Sequence, residues 1–173
     1  MKKIAVLLLA LSLMLFASIA SAEMGYEDYW NGDRNYALIY GKMNMAYYVD
    51  KSSLRADAYN PPNYILGISY VTVSYDDTAY ETKGQSGKKT FLSTKAHRFY
   101  YDISGNRKMY VEKGAGTGNW AYVNPTGSEA ESAITMELGE AAFYLAYNMK
   151  FYGGVDYGKY QRNMGSAFYE RLK

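Results

Sequence analysis

The stretch Tyr64-Ile65-Leu66-Gly67-Ile68-Ser69-Tyr70-Val71-Thr72-Val73-Ser74-Tyr75-Asp76 decides the fold. β-Branched and aromatic residues dominate it, and the side chains of a strand alternate between faces. Leu66, Ile68 and Tyr70 therefore share one face, and Ile65, Val71, Val73 and Tyr75 share the other. Both faces are apolar, which predicts a central strand covered on one side and lined by tyrosine on the other.

Period-two segments continue to either side of it. Tyr36 to Gly41 and Met45 to Lys51 read as strands joined by the hairpin-length connection Lys42-Met43-Asn44. Ser52-Ser53-Leu54-Arg55 then predicts a turn away from the sheet, and Pro61-Pro62 makes Ala56 to Asn63 a loop, because proline cannot serve a central strand. Beyond the polar turn Asp77 to Lys89, strand character returns at Thr90 to Ile103. Arg107 to Lys113 follows the turn Ser104-Gly105-Asn106, and Asn119 to Val123 follows Gly114 to Gly118. About six strands on short connections predict an antiparallel meander.

After Pro125 the period becomes 3.6. Ser128 and Glu131 have capping-box spacing at the head of a helix reaching Tyr152. Ile134, Leu138, Ala141, Leu145, Met149 and Tyr152 form one apolar stripe, and Met136, Phe143, Tyr147 and Phe151 form a second. Two stripes need two partners: the sheet, and a second helix expected over Asp156 to Leu172 after the stop at Gly153-Gly154. The expectation is an α+β single domain, a mainly antiparallel sheet of about six strands packed by one or two C-terminal helices. Residues 23–35 form a lead-in, 36–124 the β-rich part and 128–173 the helical part.

Residues 1–22 read as a cleavable signal peptide. Lys2 and Lys3 precede an apolar run from Ile4 to Phe16, and Ala20-Ser21-Ala22 supplies the small residues of a cleavage site. The expected location is outside the cytoplasm, in the periplasm, on the cell surface or in the medium, with no transmembrane segment after cleavage. Two of the 19 Lys and Arg lie in that leader, leaving 17 cations against 17 Asp and Glu. The expected mature chain is thus neutral overall, which argues against nucleic acid as a partner. With no Cys, thiol catalysis and Cys-based metal sites are excluded, and stability must come from packing. The 21 tyrosines are the dominant large side chains, suited to half-buried sheet faces and to contact surfaces.

No catalytic, cofactor or metal constellation emerges. His97 is the single histidine and has no nucleophile-elbow sequence beside it, so it reads as a surface strand residue. Asp76, Asp77 and Glu81 lack calcium-loop spacing, and Gly114 to Gly118 lacks the Walker lysine and a following helix. The informative feature is charge. Lys83, Lys88, Lys89, Lys95, Arg98, Arg107, Lys108 and Lys113 face only two acids after Lys83, Asp102 and Glu112. The cluster reads either as a solvated edge whose lysines discourage strand-to-strand aggregation or as a polyanion-contact patch; since Lys95 and Arg98 must point to opposite faces of an unbulged strand, the patch would centre on Lys88, Lys89, Arg107 and Lys108.

Tyr47-Tyr48-Val49-Asp50-Lys51-Ser52-Ser53-Leu54, then Arg98-Phe99-Tyr100-Tyr101-Asp102 with Arg107-Lys108-Met109-Tyr110-Val111, then Asn119-Trp120-Ala121-Tyr122-Val123-Asn124-Pro125 before a helix, resemble the surface-adhesin E-like family of bacterial exported proteins. The resemblance runs from about Tyr36 to Tyr147. It implies an antiparallel sheet packed by a C-terminal helix, and adhesion to host matrix proteins. The chain departs from the family in lacking a lipoprotein Cys and in extending from Asp156 to Lys173. The sequence-based reading is a non-enzymatic exported binding or adhesion domain, without cofactor, whose partner is a protein or anionic glycan of the envelope or host matrix. The alternative is a periplasmic structural or envelope-assembly protein.

Overall fold

The alternation along Tyr64–Tyr75 organises the molecule. A computed structural model of the chain describes residues 25–102, 104, 108–153 and 164–173. In it, Leu66, Ile68 and Tyr70 enter one core, while Val71, Val73 and Tyr75 enter a second core on the opposite side of the same strand. Strands β1 (Tyr36–Lys42), β2 (Met45–Asn60), β3 (Asn63–Tyr75), β4 (Lys89–Asp102), β5 (Met109–Glu112) and β6 (Trp120–Tyr122) form one sheet in sequence order, each antiparallel to the next. Helices α1 (Asp77–Glu81), α2 (Glu129–Tyr147) and α3 (Ser166–Leu172) complete the α+β fold. The expected leader (1–22), the turn at Gly105-Asn106, Arg107 and residues 156–163 of the expected second helix lie outside the described residues.

The first hairpin closes through Met43 and Asn44, both in the left-handed region (φ 51 and 57), which matches the twist of a two-residue connection. The chain does not turn away at Ser52–Arg55. Instead β2 continues to Asn60, and Lys51 to Leu54 form a bulge opposite Ile68, between the pairs Asp50↔Ser69 and Arg55↔Gly67. Polar residues that read as a turn are the internal bonds of this bulge. Ser52 Oγ donates to Asp50 Oδ1 (2.6 Å), Ser53 Oγ donates to the Asp50 carbonyl (2.6 Å), and Ser53 Oγ accepts from Ser69 N–H (2.8 Å). Nor is 56–63 a loop. Pro61 and Pro62 occupy only the tight turn between the paired Asn60 and Asn63, where no ladder N–H is needed.

Helix α2 begins directly after Ser128, whose carbonyl accepts Ser132 N–H (3.1 Å). It ends at Tyr147 rather than Tyr152, because Asn148 takes the left-handed conformation (φ 55) and stops it. Both expected apolar stripes are used. Met136, Leu138, Ala141, Ala142 and Phe143 are all buried in one core with Leu66, Ile68, Phe99, Met109 and Val111 of the sheet. Tyr152, Met164, Phe168, Tyr169 and Leu172 join the same core, while Ile134 and Leu145 are only partly buried. Gly139 lets the helix approach the sheet closely, since a Cβ there would lie 2.9 Å from Phe99 Cε1.

Among the described residues, the opposite face is covered at one end only, by the lead-in and α1. Ala46, Tyr48, Val71, Val73, Tyr75 and Ala79 form this second core, with Tyr26, Trp30 and Tyr36 packed against it. The Tyr48 and Tyr75 hydroxyls share a 2.6 Å hydrogen bond, and burial pushes both phenols up, Tyr75 to about 12. The lead-in also covers the β1 edge, where Leu38 N–H donates to the Asp28 carbonyl (2.9 Å) and the Leu38 carbonyl accepts from Arg171 Nε (2.9 Å). Among the described residues, no helix is long and apolar enough to cross a membrane.

Candidate functional site

The cations that cluster in the sequence are dispersed in space. Lys88 precedes and Lys89 opens β4, whereas Lys108 precedes β5 at the far end of that 14-residue strand, roughly 40 Å away at 3.3 Å per residue. Arg107 lies outside the described residues. Lys88, Lys89 and Lys108 are therefore not brought together, because a long strand separates turns that look adjacent in sequence. Acids and a ring from other segments have also claimed several cations. Lys89 Nζ meets both oxygens of Glu27 at 3.0 Å, Lys83 lies 3.9 Å from Asp28, and Lys108 Nζ sits 4.8 Å over the Tyr122 ring.

Arg98 anchors the most organised polar cluster. Its Nε donates to Asp57 Oδ2 (2.7 Å), its Nη1 donates to both oxygens of Glu112 (3.0 Å each), and Arg55 Nε donates to the other Asp57 oxygen (2.8 Å). Asp57 reaches this place only because β2 runs on past its bulge. The Glu112 carboxylate also accepts Gly118 N–H (2.8 Å) and Gly116 N–H (3.0 Å). The glycine run thus cradles an anion that the protein itself supplies, with Gly114, Gly116 and Gly118 all at positive φ. The Gly118 amide, ahead of that of Gly116 and the Arg98 guanidinium, holds the Glu112 carboxyl below the usual carboxylate range. Hydrogen bonds to Asp57 and Glu112 raise Arg98. A cavity of about 260 Å³ opens beside this cluster, lined by Arg55, Ala96, Arg98, Glu112 and Ala115 among others.

The same face carries a row of rings. Register places Tyr100 opposite Tyr110, Tyr110 opposite Tyr122, and Glu112 opposite Trp120. Centroid separations are 5.9 Å for Tyr100–Tyr110, 5.9 Å for Tyr110–Tyr122 and 5.5 Å for Tyr100–Trp120. Arg98 Cζ lies 5.8 Å over the Trp120 ring, and the Tyr100 hydroxyl donates to Asn63 Oδ1 (2.8 Å). Tyr122 is 42% exposed and the other three rings are half-buried. Helices α2 and α3 pack on the other face, so among the described residues no helix covers this row. The W-x-Y spacing of Trp120 and Tyr122 is the sequence signal that could have exposed it.

On the helix-covered face, His97 is half-buried rather than a free surface residue. It stacks on Tyr70 at 5.8 Å, and burial, then Lys95 and Lys113, lower its pKa. Lys95 is exposed on that face, opposite to Arg98, as strand alternation requires. Asp76 caps α1 through Ala79 N–H (2.7 Å) and also accepts Lys88 N–H (2.8 Å). Among the described residues, no group of three or more acidic, His or Cys residues is placed to hold a metal ion.

The sequence reading missed Glu140. It is fully buried on α2, where its carboxylate accepts N–H groups of Phe151 (3.0 Å), Tyr152 (2.9 Å) and Gly153 (3.3 Å) and the Tyr169 hydroxyl (2.6 Å). Burial raises its pKa against the pull of those donors. No family model matches the chain, and no curated protein and no solved structure matches it.

Proposed function

We propose that the chain is a non-enzymatic exported binding domain that contacts cell-envelope or host extracellular components, with adhesion as its first role. The observation that carries this reading is the row Trp120, Tyr100, Tyr110 and Tyr122, edged by Arg98 and Lys108, which no helix covers among the described residues. Tyr and Trp combine large contact area, few rotatable bonds and a polar tip, Arg adds a planar charged fork, and all three are enriched among the residues that dominate the energetics of protein contacts. The resemblance of the strand motifs to surface-adhesin E-like proteins supports the same role. So does the engagement of Glu112 and Glu140 in internal hydrogen bonds, which leaves neither carboxylate available for acid-base work.

Retention of the mature protein on immobilised extracellular-matrix proteins, on heparin and on purified envelope material tests the reading. Wild type is retained on at least one, and the Trp120→Ala/Tyr122→Ala variant elutes earlier at an unchanged melting temperature. Retention on envelope material alone makes the protein an envelope-assembly factor. Passage through all three without delay contradicts the contact role.

A further inference from the structure

We propose that the free edge of β4 takes up an extended acidic segment of another protein as an added strand, in line with β5. The proposal rests on the contact role above and names its partner chemistry. β4 pairs with β3 from Lys89 to Asp102, but with β5 only at Phe99, Tyr100 and Tyr101. Upstream of Arg98, no backbone hydrogen bond among the described residues reaches the side of β4 away from β3. Thr94, Lys95 and Ala96 are exposed there.

Strand alternation identifies which groups face outward. Val123 N–H donates to the Met109 carbonyl and Lys113 N–H to the Asn119 carbonyl, so Met109, Val111 and Lys113 turn their backbone groups toward β6. Tyr110 and Glu112 then face β4, and their register partners set the order along it. Tyr100, Ala96 and Thr94 direct N–H and C=O away from β3, leaving those of Ala96 and Thr94 unpaired at the edge. An extended chain bonding there gains main-chain affinity in the manner of strand addition.

Charge selects an acidic occupant. Ser93 to Arg98 contains no acid, and Lys95 and Lys113 make no ion pair among the described residues. The cavity at Arg55, Ala96 and Ala115 lies where β5 leaves β4, ready to receive one side chain of the incoming strand. A second copy of this chain fits poorly, because pairing β4 with itself brings two cationic strands together. Leu92 forms a bulge opposite the Thr72/Val73 step, which limits a flat edge to Ser93 onward.

The test uses a fluorescein-labelled peptide of alternating Glu and Val, seven residues long, with the full mature chain and anisotropy as the readout. Binding is expected, at least about tenfold tighter than for a Gln/Val peptide, and it weakens as salt shortens the Debye length from ~10 Å at 0.1 M to ~3 Å at 1 M. N-methylation of alternate peptide amides abolishes binding in one phase of alternation and spares it in the other. Thr94→Pro removes an edge N–H that β3 does not use and also abolishes binding. Equal affinity for both N-methylated peptides, or for the neutral peptide, overturns the proposal. Concentration-dependent dimerisation that Thr94→Pro removes assigns the edge to a second copy and overturns it too. If Trp120→Ala/Tyr122→Ala loses retention on envelope or matrix material while Thr94→Pro keeps it, the contact role stands and strand addition fails.

Discussion

The Tyr169 hydroxyl donates to Glu140 Oε1 across 2.6 Å in the buried layer between α3 and α2. The carboxylate that accepts it also gathers the N–H groups of Phe151, Tyr152 and Gly153. One buried acid thereby ties the return segment after α2 and the last helix to the same point. Burial alone disfavours such a group, and it persists because each lone pair has a donor.

Glu140→Ala removes the acceptor and leaves buried donors unpaired, at about 1–3 kcal/mol for an unsatisfied group. For a chain of this size, where 1 kcal/mol shifts the melting temperature by about 2–4 °C, a fall of several degrees is expected. Tyr169→Phe keeps the ring and loses one bond, so calorimetry should show a smaller fall.

Leu138→Ala should cost about 2–5 kcal/mol, because Leu138 is fully buried in the main core. Ile134→Ala and Leu145→Ala should cost less, since both are only partly buried. Gly139→Ala forces a methyl against Phe99 and should cost about 1–3 kcal/mol through overpacking. Urea titrations that rank the four variants otherwise would contradict the packing.

Glu112 has a lowered pKa in the fold, so its stabilisation is present above the unfolded value of about 4.3 and is lost as pH falls through the folded value. Melting temperature against pH should therefore decline on the acid side in the wild type. In Glu112→Gln the acid decline should be shallower and the stability near neutral pH lower.

Lys89→Glu places a carboxylate against Glu27, whereas Lys88→Glu alters an exposed residue with no ion pair among the described residues. The first should lower the melting temperature and hasten proteolysis of the lead-in. The second should leave both unchanged.

The meander and the two faces of the central strand were legible because alternation is a local signal, read directly from Leu66, Ile68 and Tyr70 against Val71, Val73 and Tyr75. The bulge at Lys51 to Leu54 was not, since Ser, Asp and Leu-Arg at a turn and at a bulge look alike until the partner strand fixes the register. Charge misled for a related reason. Lys88 and Lys108 are twenty positions apart yet sit at opposite ends of one strand, and the acids that meet Lys89 and Arg98 come from Glu27 and Asp57. Glu140 on an apolar helix face carries no local signal of its role: an acid among Leu138, Ala141 and Phe143 needs donors, and only the fold brings them.

The contact role is tested most directly at Trp120. In a Trp30→Phe background it is the sole tryptophan of the chain. When the mature protein binds the surface component that retains it, Trp120 emission should shift to the blue and acrylamide quenching should fall. Retention with unchanged emission and unchanged quenching would show that the aromatic row is not the contact surface.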